Sequence, residues 1–96
     1  MKGDVERLAR ILDALGNEYS LGIMAVLAHG ERYVSELADE VGISRPLLYL
    51  HLKKLENAGL VEGEVRHFDE PPYTKKYYKA KHFEVVVSLD KLRELR

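Results

Sequence analysis

The chain has no cysteine, which excludes a disulfide framework, a thiolate metal site and redox sensing through thiols. Long hydrophobic runs are missing as well. The longest apolar stretch, residues 19–28, is interrupted by Ser20 and Gly22 and falls far short of the roughly 20 residues a membrane span requires. It reads as a buried core helix. The opening Met-Lys-Gly-Asp-Val-Glu-Arg carries charge where a signal peptide needs an apolar run, so no membrane association and a cytoplasmic location are expected. No Gly-rich phosphate loop, nucleophile elbow or zinc-protease pattern occurs. Adjacent Asp39 and Glu40 read as solvated charge on a helix surface rather than as an acid–base pair. Neither catalysis nor a cofactor is expected.

A strong charge of one sign is also lacking. The 96 residues carry a formal net charge of −1, without the basic balance by which many DNA-binding domains are known. Its distribution says more. Residues 1–43 hold roughly −4, residues 44–82 about +3 and residues 83–96 about zero. This length accommodates one domain, residues 1–96, with a modest core, and domains of this size often gain stability by oligomerising.

Within that span, residues 34–58 carry the clearest pattern. Leu37, Ala38 and Val41 share one helical face, while Glu36, Asp39 and Glu40 share the other. Gly42 permits a tight turn, Ile43 is apolar enough to plug the angle between two helices, and Ser44 is a favoured N-cap. A second helix is expected from Arg45, with Pro46 in its first turn, where the missing N–H has no intrahelical partner to lose. Leu48, Leu52 and Leu55 form the inward stripe. At about 100° per residue, Pro46, Tyr49, Leu50, Lys53 and Asn57 face outward, with Arg45 at the exposed start. Gly59 ends the helix. Two short helices meeting at a glycine turn make a helix-turn-helix.

The remaining segments are simpler. Asp4 is expected to cap a first helix carrying Val5, Leu8, Ile11, Leu12 and Leu15, which Gly16 stops. A second helix is expected from about Glu18 to His29, closed by Gly30. Tyr33 stands where a capping Ser or Thr would precede the third. Leu60 to Arg66 and Lys75 to Ala80 read as a strand pair, joined by a tip at residues 67–74 that two prolines stiffen. The β-branched run 83–87 is expected to form another strand, and Ser88 to cap a last helix over residues 89–96.

The run Gly42-Ile-Ser-Arg-Pro-Leu-Leu-Tyr-Leu-His-Leu-Lys-Lys-Leu-Glu-Asn-Ala-Gly-Leu-Val61 resembles the recognition segment of ArsR-like winged-helix transcriptional regulators. The likeness extends back through Gly30-Glu31 and Ser35-Glu-Leu-Ala38, and forward to Lys76-Tyr-Tyr-Lys79 in the second wing strand. It implies a mainly α fold with a small antiparallel β-wing, a winged helix-turn-helix, with the wing at residues 60–80. It also implies a homodimer joined by the first and last helices, residues 5–15 and 89–96. Val5, Leu8, Ile11, Leu12, Leu15, Leu89, Leu92 and Leu95 would then form the interface. The alternative is that both stripes only cover the domain's own core.

A single α-helix fits the major groove of B-DNA, so double-stranded DNA is the expected partner, on a near-palindromic operator with half-sites about one turn, roughly 34 Å, apart. The expected DNA-facing residues are Ser44, Arg45, Pro46, Leu47, Tyr49, Leu50, Lys53 and Lys54, with Arg66, Lys75 and Lys76 from the wing. Arg45 either reads guanine or is merely solvated. Leu50 either meets a thymine methyl or is an ordinary exposed leucine, and Tyr49 either bonds phosphate or covers the core edge. Repression by occlusion is the expected outcome. The competing possibility is a winged helix that binds partner proteins instead, since fold does not dictate function.

Metal sensing within the resembled family uses cysteines on the supporting helix or carboxylate–histidine sets on a terminal helix. Tyr33, Val34, Ser35 and Glu36 stand at the first position, and the terminal segment has Asp90 and Glu94 but no histidine. No metal site is expected, and His51 reads as a packing residue beside the core stripe.

Overall fold

The computed structural model describes residues 2–96. Helix α1 spans Lys2–Leu15, α2 Glu18–Leu27, α3 Val34–Val41 and α4 Arg45–Asn57. Strand β1, Arg32–Tyr33, precedes α3; β2, Val61–His67, and β3, Thr74–Ala80, follow α4; α5, Leu89–Arg93, comes last. The antiparallel sheet has the order β1-β3-β2.

The core lies where the helices meet the base of the hairpin. Leu48, Leu52 and Leu55 of α4 are fully buried with Ile23 of α2, Leu37 of α3 and Leu60, as the inward stripe requires. In the hairpin, Val61 pairs with Ala80 and Gly63 with Tyr78. Period-2 alternation then sends Val61 and Tyr78 into the core and Glu62, Glu64 and Lys79 to the other face.

Several local expectations are corrected. Asp4 lies inside the first turn of α1 rather than capping it, because the helix already begins at Lys2; a carboxylate there still complements the helix dipole. Asn17 caps α2, its side chain accepting from the Ser20 N–H at 2.8 Å. α2 ends at Leu27, and Ala28 and His29 form a turn rather than its last residues. α3 starts without a capping hydroxyl; the Glu36 carboxylate accepts from the Tyr33 N–H at 3.1 Å, the half of a capping box that needs none. The two-residue strand β1 has no counterpart among the expected elements.

Residues 83–87 form no strand. β3 is already flanked on both edges, and the segment runs along helices instead, Phe83 beside Leu21 and Met24, Val85 and Val86 beside Leu8 and Ile11. Ser88 does cap α5, accepting from the Lys91 N–H at 3.1 Å, but the helix stops at Arg93.

Candidate nucleic-acid interface

The helix-turn-helix is held by its turn. Gly42 adopts φ 79°, a left-handed conformation that costs a side-chain-bearing residue roughly 1–2 kcal/mol. There the Gly42 and Ile43 N–H groups both donate to the Ala38 carbonyl, at 2.8 and 3.1 Å, closing α3. Ser44 Oγ then accepts from the Leu47 N–H at 3.3 Å, and Pro46 sits in the first turn of α4. At the far end, the Leu60 N–H donates to Leu55 and the Gly59 N–H to Glu56, at 2.9 and 3.0 Å. This is a Schellman closure with Gly59 at φ 77°.

These constraints fix the roll of α4. Arg45, Pro46, Tyr49, Leu50 and Lys53 are exposed and Leu47 is half-buried; Leu50, at 56% exposure, is the most open apolar residue of the helix. Arg45 and Tyr49 face Lys75 and Lys76 across an open groove of about 280 Å³, which Tyr33, Ser35, Pro72 and Thr74 also line. Lys75 Nζ lies 4.2 Å from the centre of the Tyr33 ring, a cation–π contact that aims the side chain without neutralising it. Lys76 sits above the ordinary lysine range, chiefly because of the adjacent Tyr78 hydroxyl, so it is cationic at neutral pH.

Two expected DNA-facing cations are placed elsewhere. Lys54 turns toward α1, 3.7 Å from Asp13. Arg66 forms a two-pronged pair with Glu31, at 2.8 and 2.7 Å, approaches Glu64 at 3.3 Å and stacks 4.1 Å above the Tyr77 ring. This pairing raises the guanidinium further above its ordinary value and lowers the Glu31 carboxyl. Lys79 pairs with Glu62 at 3.0 Å on the same outer face. Among the described residues, the wing cations without a carboxylate partner are thus Lys75 and Lys76. Tyr33, Val34, Ser35, Pro72 and Thr74 also reach the groove without being expected there, the first three through their place at the start of α3.

His51 makes the packing contact expected of it. Its Nδ1 lies 3.3 Å from the fully buried Ser20 Oγ, and its ring centre 5.5 Å from that of Tyr19. Among the described residues, no three His, Cys, Asp or Glu side chains converge closely enough to hold a metal ion, and no helix is long and apolar enough to cross a membrane.

The residues expected at the chain ends fall into two environments. Ile11 and Leu15 pack against the core and Leu8 is half-buried, while Val5 and Leu12 lie exposed on the flank of the same stripe. Leu92 is exposed, Leu95 half-buried, and Leu89 is 74% exposed.

A helix-turn-helix with its second helix open to solvent, flanked by a β-hairpin, defines a winged helix-turn-helix DNA-binding protein. Comparison with known proteins narrows the class. Residues 20–63 match the family model described as bacterial regulatory protein, arsR family. An uncharacterized HTH-type transcriptional regulator of Methanocaldococcus jannaschii is 36% identical over 83 residues, covering 86% of this chain and 85% of that protein. The HTH-type transcriptional repressor SmtB of Mycobacterium tuberculosis is 35% identical over 60 residues, 62% of this chain and 44% of the repressor. A homodimeric winged helix-turn-helix DNA-binding domain from Mycobacterium bovis superposes with a TM-score of 0.69 at 32% identity, over 82% of this chain and 68% of that one. The chain belongs to the ArsR family of transcriptional regulators. Its relatives are regulators, not enzymes.

Proposed function

We propose that the chain is a sequence-specific double-stranded DNA-binding repressor, a single winged-helix unit over residues 1–96 that acts in the cytoplasm as a homodimer. The observation that carries this reading is the convergence of Arg45 and Tyr49 with Lys75 and Lys76 on one open groove. With α4 in the major groove, Arg45 offers a fork suited to guanine, Leu50 an apolar contact for a thymine methyl, and Lys53 a phosphate contact. Ser44, Pro46, Leu47 and Tyr49 complete that face, and Lys75 and Lys76 anchor the neighbouring backbone. Lys54 and Arg66 reach phosphate only by leaving Asp13 and Glu31. The dimer would bury Val5, Leu12, Leu89 and Leu92 with their half-buried neighbours, and would set two α4 helices about one DNA turn apart on a near-palindromic operator. Repression is supported by the relative named a transcriptional repressor; occupancy of a promoter suffices for it.

Fluorescence anisotropy against a random double-stranded pool across a salt series tests this. The expected result is affinity that falls steeply with salt. An Arg45→Ala/Lys53→Ala variant should bind about tenfold or more weakly, its salt slope shallower by about one for each phosphate it no longer neutralises. A folded protein that binds no DNA at low salt would instead support a protein-interaction module.

A further inference from the structure

The tip of the wing is chemically unlike its stem. Between His67 and Thr74 the sequence is Phe-Asp-Glu-Pro-Pro-Tyr, with two carboxylates and neither lysine nor arginine. Asp69 and Glu70 are exposed and, among the described residues, neither side chain has a hydrogen bond or ion pair. The acids of the stem differ in this respect, since Glu62 and Glu64 face Lys79 and Arg66. The tip is also closed on itself. The Phe68 N–H donates to the Tyr73 carbonyl at 2.6 Å and the Tyr73 N–H to the Glu70 carbonyl at 2.9 Å, so the carboxylates are carried on a defined turn. Of the two cations flanking the tip in sequence, Arg66 is held by Glu31 and Glu64, and Lys75 lies between the Tyr33 and Phe68 rings, 4.2 and 5.9 Å from their centres, with no ion pair to either carboxylate.

These charges stand where a hairpin beside a docked α4 would meet the next groove. From Lys76 to Thr74 the strand advances about 7 Å, and the turn extends beyond that. Segments that enter a minor groove read it with Arg, Lys, Asn or Gln, sometimes beside an apolar wedge, and carry no net negative charge into it, because the groove concentrates negative potential. Two unpaired carboxylates oppose such entry. Resting on the DNA-binding reading above, we propose that Asp69 and Glu70 keep the wing tip out of the flanking minor groove. Lys75 and Lys76 then anchor phosphate from the stem, and sequence outside the major-groove half-sites goes unread.

The test compares the full chain with Asp69→Asn/Glu70→Gln and Asp69→Lys/Glu70→Lys variants on an operator selected with the unmodified protein. Affinity across a salt series is measured together with hydroxyl-radical footprints. The unmodified protein should leave the flanking minor grooves open to cleavage, and the selected sequences should carry no preference there. Removing the charges should tighten binding several-fold. The lysine variant should tighten it by tenfold or more, steepen the salt slope by up to about two per protomer, and protect the flanks. Flank protection by the unmodified protein, or neutral variants that bind no more tightly, would overturn the proposal while leaving DNA binding intact. Failure of all three folded proteins to bind would overturn the DNA reading and this proposal with it.

Discussion

At the scale of single residues, side chains that act on their own backbone neighbourhood were the legible ones. Ser44, Pro46, Gly42 and Gly59 each answer a demand set within four residues, an orphan N–H, a first-turn position or a left-handed φ, and local sequence states such demands directly. Ser44→Ala should lower stability by about 1 kcal/mol in denaturant unfolding, because the Leu47 N–H is left without its partner. Ser20 was not legible. It appeared only as an interruption in an apolar run, yet it is fully buried and joins α2 to His51 of α4 across 31 positions. Its hydroxyl also lies 3.1 Å from the Asn17 side-chain nitrogen, which donates to it. Ser20→Ala should therefore cost about 1 kcal/mol or more in the same measurement, because His51 is deprived of a buried partner. The DNA-facing side chains were legible as a face, through helical periodicity. What each cation pairs with was not, because Lys54–Asp13 and Arg66–Glu31 join residues far apart in the chain.

At the scale of elements, α4 runs from Arg45 to Asn57, the bounds its caps announce, and the strand pair was placed to within a residue or so. The sheet was misjudged at its edges, where pairing depends on what lies alongside. Arg32–Tyr33 is too short for any propensity signal and is a strand only because Tyr77 and Tyr78 lie opposite; residues 83–87 have the propensity but pair with none of the three strands, lying along α1 and α2 instead. The Arg66–Glu31 pair, also between elements, has a pH signature. Arg66 holds the Glu31 carboxyl below its ordinary range by hydrogen bonding to it. The folded state therefore binds that proton less readily than the unfolded chain does. The pair's contribution is complete above the ordinary carboxylate value and is lost as pH falls through the lowered one. Arg66 stays charged throughout. As pH falls below the ordinary carboxylate range, the unmodified protein should lose stability relative to a Glu31→Gln variant, by a small amount because the pair is exposed to solvent. Paired thermal melts across that range would check it, and parallel curves would deny the pair any stabilising role.

For the whole molecule, the apolar surface at the chain ends is the main unsatisfied feature. Val5, Leu12, Val86, Val87, Leu89 and Leu92 all remain exposed, and the dimer proposed above covers Val5, Leu12, Leu89 and Leu92. A Leu89→Glu/Leu92→Glu variant should sediment as a monomer at micromolar concentration while the unmodified chain sediments as a dimer. It should also lose affinity for a two-half-site operator by far more than for a single half-site, since the linkage between the two binding events disappears. Equal sedimentation of the two proteins would remove these leucines from the interface.

Tyr33 ends β1 and Val34 begins α3 with no residue between them, while the same Tyr33 is paired with Tyr77 of the hairpin and packs edge-on against its ring. The hairpin and the supporting helix therefore share a stiff joint. Tilting one turns the other, and through the Gly42 corner the tilt passes to α4. Such a head does not close over a duplex like a hinged clamp. On the DNA-binding reading proposed above, it would meet a duplex as a caliper whose jaw spacing is set before contact, with little ordering entropy left to lose.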